Sequence, residues 1–458
     1  MLFNSTEFSR SELTEIFGEH TVFFLPEFTI GVSTDTRTLE RGNIFIALKG
    51  EQFDGHSSLN SACEKGASVL IIEDGYKSKL STEISSYPHI VVESTITALG
   101  QLGKHHRNRF RIPIVAIAGA AGKTSTKELT AHLLSQRFST LKTQANFNNQ
   151  IGVPLTLLQL TSEHTAAVIE IGTNEPGEIE ILSDICSPTH GLITNIGKEH
   201  LEKLIDLDGV EREETALFRA LARTNGQILI NMDDERLSNY SVSYPHALSY
   251  GIEHPAALHA TVEFNSHLQP ILIFSGNKLR VQMQTIGLAA AYNAIAAAAV
   301  GFSFGMTSDE IRVGLEQFSV PEAHGYGRMN VESFSGYTLI NDCYNANPES
   351  MIIALKTLQL YPTNGKRIAL LGDMRELGAS AAEEHHAIIE QAVSAADRVI
   401  VIGEEMSSAA MRFPMVRIAH SKKECAEMLL AEISEGDVLL VKGSRGMRLE
   451  EVIAELKG

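Results

Sequence analysis

Two glycines, a lysine and a hydroxyl residue fall close together in Gly119-Ala-Ala-Gly-Lys-Thr-Ser125, and that grouping carries the plainest chemistry in the chain. A lysine ammonium can sit on the outer phosphates of a nucleotide. A threonine hydroxyl can ligate the accompanying Mg²⁺, and glycines let backbone N–H groups approach phosphate oxygens closely. The spacing is short of the usual G-x-x-x-x-G-K-[ST] form, whose first glycine would fall on Ile117. The phosphate reading therefore depends on the flanks. Residues 112–118, IPIVAIA, form a β-branched apolar run that reads as a buried strand, and Leu129, Leu133 and Leu134 then recur at helical spacing. Strand, glycine loop and helix N-terminus in that order turn N–H groups and the positive end of the helix dipole toward an anion. Gly119, Ala120, Ala121, Gly122, Lys123, Thr124 and Ser125 are accordingly the expected phosphate-binding residues.

More polar residues stand where strands should end. Ligands of open α/β sheets gather at the carboxyl ends of strands. Glu170 closes the apolar run 166–171, where a carboxylate is costly to bury unless paired or metal-bound. His200 follows the run 191–196 in NIGKEHLE. With Thr124 these residues suggest a two-metal phosphoryl-transfer site. Mg²⁺ prefers oxygen ligands, so the histidine keeps Mn²⁺ open as well. The asparagine-rich ANFNNQIGVP at 145–154 is either a turn whose amides cap the next helix or part of a ligand site. NDCYNANPES at 341–350 follows a strand and ends at a proline suited to open a helix, and KGSRGMRLE at 442–450 follows another. Polar loops at strand ends in two separate domains imply a cleft that closes.

The elements needed to hold these loops are legible in outline. The length of 458 residues suggests about three domains. Residues 1–108 form one unit with short strands near 43–47 and 67–72. From 109 to 318 apolar strands alternate with helices, the pattern of a mostly parallel α/β sheet. The glycine- and proline-rich 320–328 reads as a linker. A second α/β alternation over 319–458 then has strands near 337–341, 367–371, 398–402 and 438–442. The net charge of −18 argues against non-specific binding to nucleic acid or anionic membranes. Four scattered cysteines without a CxxC pair suggest reduced thiols in a cytosolic enzyme, and the N-terminus lacks a signal-peptide pattern. The apolar stretch 288–302 is too short and alanine-rich to span a bilayer and fits a buried helix.

Taken together, the motifs resemble those of the Mur ligase family. They are STDTR (33–37), IFIALKGEQFDGH (44–56), GAAGKT (119–124), NFNNQIGVP (146–154), EIGTNEPGEI (170–179), ITNIGKEHLE (193–202), NDCYNANPESM (341–351), LLGDMRELG (370–378) and VKGSRGMRLE (441–450). They run in order through the whole chain, and the short loop is similar to that family's GxxGK[ST] form. The resemblance implies an N-terminal α/β domain for a UDP-sugar (1–108), a central phosphate-loop ATPase domain (109–318) and a C-terminal Rossmann-like domain (319–458). It implies ATP and Mg²⁺, and formation of a peptide bond with release of ADP through an acyl phosphate. YNANP, GDMRELG and KGSRGM favour the member that joins D-alanyl-D-alanine to a UDP-N-acetylmuramoyl-tripeptide, making a peptidoglycan precursor in the cytoplasm. A monomer is expected. Lys123, Glu170 and His200 are implied as catalytic, with Thr124, Glu170, His200 and Glu214 around metal. Asn293, Arg328 and Asp342 are implied on the nucleotide. Thr34, Asp35, Arg37, Lys49, Asn146, Asn148, Asn149, Thr173, Asn345, Asn347 and Arg445 are implied on the substrates.

The chain departs from the family pattern in three places. Glu214, in GVEREETALF, stands where the family usually carries a carbamylated lysine, and it would supply a permanent carboxylate at neutral pH without CO₂. The other reading makes Glu211, Glu213 and Glu214 a solvated helix face. Ala289 lies near the place of the family's adenine-side histidine, and Asn341 replaces the first of two acidic residues, leaving Asp342. Rival readings are a sister ligase adding a single amino acid, a phosphate-loop switch or motor NTPase, and a binding protein that has lost its chemistry. No NKxD guanine signature supports the switch, and retention of Lys123, Thr124, Glu170 and His200 opposes the last.

Overall fold

The computed structural model describes residues 4–19, 22–50, 53–276, 279–320 and 327–457. Most of the expected linker 320–328 lies outside these residues. The chain divides into two compact units, one of Met1–Ala116, Phe138–Gly172 and Glu178–Thr189, the other of Ile117–Arg137, Thr173–Gly177 and His190–Gly458.

In the first unit, strands β1 (Val32–Ser33), β2 (Ile44–Ile46), β3 (Val69–Glu73) and β4 (His89–Val92) lie side by side in sequence order and parallel. Successive side chains point to opposite faces, and both faces are covered. Ile44, Ile46, Val69 and Ile71 pack with Leu99 and Leu102 of helix α1 (Thr95–Asn108), while Phe45, Leu70 and Ile72 pack with Leu59 and Ala62. This two-sided burial explains why these strands read as unbroken apolar runs rather than alternating ones.

The chain passes from the first unit to the second within β5 (Ile114–Ala118), whose residues are all buried. In the first unit, Pro113 O accepts from Ala167 N at 3.1 Å and Ile114 N donates to Thr189 Oγ1 at 2.9 Å. In the second, Ala118 O accepts from Thr194 N at 2.9 Å. The glycine loop follows, then α2 (Lys123–Leu134). Back in the first unit, β6 (Thr140–Lys142) and β7 (Ala166–Glu170) pair in parallel.

In the second unit, β8 (His190–Ile193), β9 (Gln227–Asn231), β10 (Leu248–Gly251) and β11 (Leu258–Phe264) are parallel neighbours, with α3 (Leu201–Leu204) and α4 (Leu207–Glu214) between β8 and β9. β12 (Pro270–Phe274) and β13 (Arg280–Gln282) continue the sheet antiparallel. The alanine-rich 288–302 lies in α5 (Gly287–Ser303), which is buried along most of its length. Its small residues let it lie tight on α2: a Cβ on Gly301 would stand 3.1 Å from Leu133 Cδ2.

Residues 327–457, also in the second unit, build a sheet from β14 (Asn330–Phe334), β15 (Tyr337–Asp342), β16 (Arg367–Gly372), β17 (Arg398–Ile402), β18 (Arg417–Ala419) and β19 (Val438–Lys442), with α6 (Pro348–Leu360) after β15. Among the described residues the strand order is β14-β15-β19-β16-β17-β18, and only the β14–β15 pair is antiparallel. Asp342 and Lys442 stand opposite each other at the carboxyl ends of β15 and β19, paired at 2.6 Å and buried. Removing one partner of a buried pair strands the other charge. Lys442→Met is therefore expected to cost about 3–5 kcal/mol in urea unfolding.

No helix among the described residues is long and apolar enough to cross a membrane. Cys63, Cys186, Cys343 and Cys425 are free thiols.

Candidate active site

Two glycines shape the phosphate loop. Gly119 and Gly122 take φ of 113° and 84°, values that L side chains rarely adopt, and a Cβ on Gly119 would meet Thr194 Oγ1 at 2.3 Å. Asn195, just past β8, then pins the loop. Its main-chain oxygen accepts from Ala120 N at 3.0 Å, its Oδ1 from Ala121 N at 3.0 Å, and its Nδ2 donates to Ala121 O at 2.8 Å. These bonds leave the N-terminus of α2, with Lys123 and Thr124 in its first turn, as the anion-facing edge. Asn293 of α5 stands at the same place, its Oδ1 accepting from Thr126 Oγ1 at 3.1 Å.

Lys123 is already among anions. Its Nζ donates to Gly119 O and lies 3.1 Å from Glu199 Oε2. Glu214, the last residue of α4, is fully buried and accepts from Gly119 N through Oε2 at 2.7 Å. Burial first, and then the neighbouring Glu199 carboxylate, push the Glu214 carboxyl well above the ordinary carboxylate range. The value of a solvated glutamate, from which the expectation of a permanent charge is drawn, therefore does not describe Glu214 without a cation beside it. A solvated face does not describe it either, since Glu213 and Glu214 are both buried and Glu213 accepts from Gly177 N at 2.6 Å. Glu199 was not singled out from the sequence. Its signal was there, an acid directly before His200 in KEH.

Oε1 of Glu199 and Oε1 of Glu214 are buried and accept from no N–H or hydroxyl, the two carboxyl groups lying against each other. Such buried carboxylate oxygens beside a phosphate loop are the donors that Mg²⁺ or Mn²⁺ takes. Among the described residues no three His, Cys, Asp or Glu side chains converge as a ready-made cage.

In the first unit Glu170, at the end of β7, is 2% exposed; its Oε1 accepts from Asn148 Nδ2 at 2.9 Å, and its N–H donates to Thr143 Oγ1 at 3.0 Å. Asn149 caps the chain ahead, its Oδ1 accepting from Ile151 N and Gly152 N at 3.1 and 2.9 Å. Asn146 is exposed and accepts from Asn148 N through its main chain at 2.8 Å. Thr34 is half-buried, Lys49 is exposed and its main chain forms an isolated antiparallel β-bridge with Asp54, and Asp35 holds the exposed Arg37 at 2.6 Å.

In the second unit the chain after β15 reaches the loop. Asn347 caps α6 and its Nδ2 approaches Ala120 O at 3.4 Å; Glu349 Oε1 accepts from Lys198 N at 2.9 Å. Lys198 Nζ pairs with Glu384, and His200 Nδ1 lies 2.7 Å from Glu376 Oε2. Arg328 stacks its guanidinium 3.8 Å over the Tyr344 ring. Asp342 is committed to Lys442 and Met329 N, Asn345 accepts from Lys442 and from Arg445 N, and Arg445 pairs with Glu450. Thr173 bonds Glu175 O at 2.8 Å. The loop, Asn293, Glu214 and Asn347 are therefore brought together, while Arg328, Asp342, Asn345 and Arg445 group around the ends of β15 and β19.

Family models match the chain in three successive blocks: the Mur ligase family catalytic domain at residues 30–107, the Mur ligase middle domain at 117–301 and the Mur ligase glutamate ligase domain at 327–445. The UDP-N-acetylmuramoyl-tripeptide–D-alanyl-D-alanine ligase of Escherichia coli K12 is 35% identical over 437 residues, covering 93% of both chains. That of Bacillus subtilis 168 is 32% identical over 436 residues, again covering 93% of both. MurF from Acinetobacter baumannii superposes with a TM-score of 0.89 at 28% identity over 99% of both chains. MurF from Thermotoga maritima, solved with ADP, superposes with a TM-score of 0.83 at 25% identity over 93% of this chain and 96% of that one. With its three matched blocks in order, a left-handed glycine loop feeding Lys123 into a helix, and acidic groups gathered on that lysine, the chain belongs to the Mur ligase family.

Proposed function

We propose that this protein is an ATP-dependent ligase that joins D-alanyl-D-alanine to a UDP-N-acetylmuramoyl-tripeptide with release of ADP. The observation that carries the reading is the Lys123 cluster: a phosphate-loop lysine held between Gly119 O and Glu199, with the buried Glu214 behind it. The γ-phosphoryl group passes to the peptide carboxylate, and the amine of D-alanyl-D-alanine then displaces phosphate from the resulting acyl phosphate. Both partners of the first step are anions, so the site must supply positive charge where the two approach. Lys123 supplies it from the helix N-terminus, and moving from Glu199 onto phosphate exchanges one anionic partner for another. A bound Mg²⁺ would add Lewis-acid charge there. Two such ions are proposed, with Thr124 and Glu170 assigned to the nucleotide's ion, His200 and Glu214 to the second, and Mn²⁺ as the alternative.

In this reading residues 1–108 take the UDP-sugar through Thr34, Asp35, Arg37 and Lys49. Residues 109–318 take ATP on the loop with Asn293 on the adenine side, and Asn146, Asn148, Asn149 and Thr173 face the peptide. Residues 319–458 bring Arg328 and Asp342 to the nucleotide and Asn345, Asn347 and Arg445 to the incoming amine. The reaction is placed in the cytoplasm. A coupled ADP-release assay tests it: turnover should require the UDP-muramoyl-tripeptide and D-alanyl-D-alanine together. A single amino acid serving as well as the dipeptide would move the assignment to a sister ligase. Equal turnover with neither substrate would sink the ligase reading.

A further inference from the structure

His200 sits just before α3 in the left-handed region, φ 49°, with its imidazole half-buried. Its Nδ1 meets Glu376 Oε2 at 2.7 Å. Glu376 comes from the loop after β16 and also has a left-handed backbone, φ 67°, uncommon for a residue with a side chain. The loop is held there from several sides. Met374 N donates to the buried His385 Nε2 at 2.9 Å, and Arg375 N to Ser444 Oγ at 2.9 Å. A Cβ on Gly378 would lie 3.4 Å from the main chain of Glu202, so the loop rests closely on α3.

The Glu376 side chain is about half exposed, at 56%, and exposed ion pairs add little to folding. In the neutral ring, a carboxylate accepting from Nδ1 selects the tautomer with the proton there and the lone pair on Nε2. Histidines that ligate metals are held this way almost always, by a carboxylate or carbonyl on the far nitrogen.

We infer that Glu376 is a positioning residue that orients His200 and fixes its tautomer, presenting Nε2 to a divalent cation. The carboxylate comes from residues 327–457 and the imidazole from the segment following β8. Cation affinity at His200 therefore depends on the Glu376 loop being seated on α3. This inference rests on the reading of His200 as a metal holder, and the two can fail separately.

The test uses the full chain with a non-hydrolysable ATP analogue, and reads Mn²⁺ bound beyond the nucleotide's own ion by electron paramagnetic resonance. Glu376→Ala should weaken that Mn²⁺ about 10–100-fold. Glu376→Gln should fall between Ala and wild type, because its amide oxygen still accepts from Nδ1–H but lacks the charge. Nitrogen-15 histidine spectra should show the Nδ1–H form of His200 in the wild type and a tautomer mixture in Glu376→Ala, a change that a merely structural role would not produce. Wild-type Mn²⁺ affinity in Glu376→Ala, with His200→Ala impaired, would overturn the positioning role and leave the metal reading standing. Unchanged Mn²⁺ affinity in His200→Ala would overturn both.

Discussion

Replacing Lys123 by alanine is expected to lower ligation about 10²–10³-fold at saturating substrates, the range for losing one preorganised group that faces developing charge. The ammonium lies at the first residue of α2, between Gly119 O and Glu199, where a phosphate meeting the helix N-terminus would find it. Its removal also leaves Glu199 and the fully buried Glu214 without the cation beside them. Lys123→Ala should therefore lose stability as well as turnover, and the two losses must be separated. Lys123→Arg does so. It restores the charge facing the carboxylates, so thermal stability should recover toward wild type. A planar guanidinium does not reproduce the compact ammonium, so turnover should stay at least about tenfold down. ADP release measured beside thermal unfolding checks both. Near-normal turnover in Lys123→Ala would make the loop a structural turn.

How far such a site can be read from sequence depends on whether its parts are local. The loop is local. A β-branched strand, two glycines and a helix follow each other in a few residues, and Gly119 and Gly122 do adopt backbone angles that call for glycine. The strands at 166–170, 227–231, 398–402 and 438–442 are equally legible because both faces are buried and the apolar run is unbroken. In the asparagine-rich turn the capping reading is seen, with Asn149 accepting from Ile151 N and Gly152 N, while Asn148 donates to Glu170. What sequence could not supply is the meeting of distant groups. Glu199 and Glu214 are separated by two helices, and Glu376 reaches His200 from far along the chain. The protonation tendency of Glu214 is illegible for the same reason. It is set by burial and by Glu199, neither of which appears in GVEREETALF.

Glu214→Gln is expected to pull stability and activity in opposite directions. In protein freed of divalent metal by a chelator, burial and Glu199 raise the Glu214 carboxyl above its unfolded value. A raised group binds its proton more tightly when folded, so its contribution is fully present below the unfolded value, about 4.3, and is lost as pH rises through the folded one. Glutamine removes this dependence. Its amide oxygen can still accept from Gly119 N–H, and its amide N–H groups can donate to Glu199. The variant should therefore match wild type near pH 4 and melt higher at pH 8. Turnover should nonetheless fall about tenfold or more, the scale seen when a group supporting a metal site is lost. A side chain that costs stability and is needed for turnover is placed for function rather than for the fold. Because a glutamate supplies its carboxylate oxygens without CO₂, stripping bicarbonate should leave wild-type turnover unchanged, whereas a lysine carbamate would decay. Bicarbonate-dependent wild-type activity, or a fully active Glu214→Gln variant, would show that the anion beside Lys123 is supplied by another residue, with Glu199 the next to test.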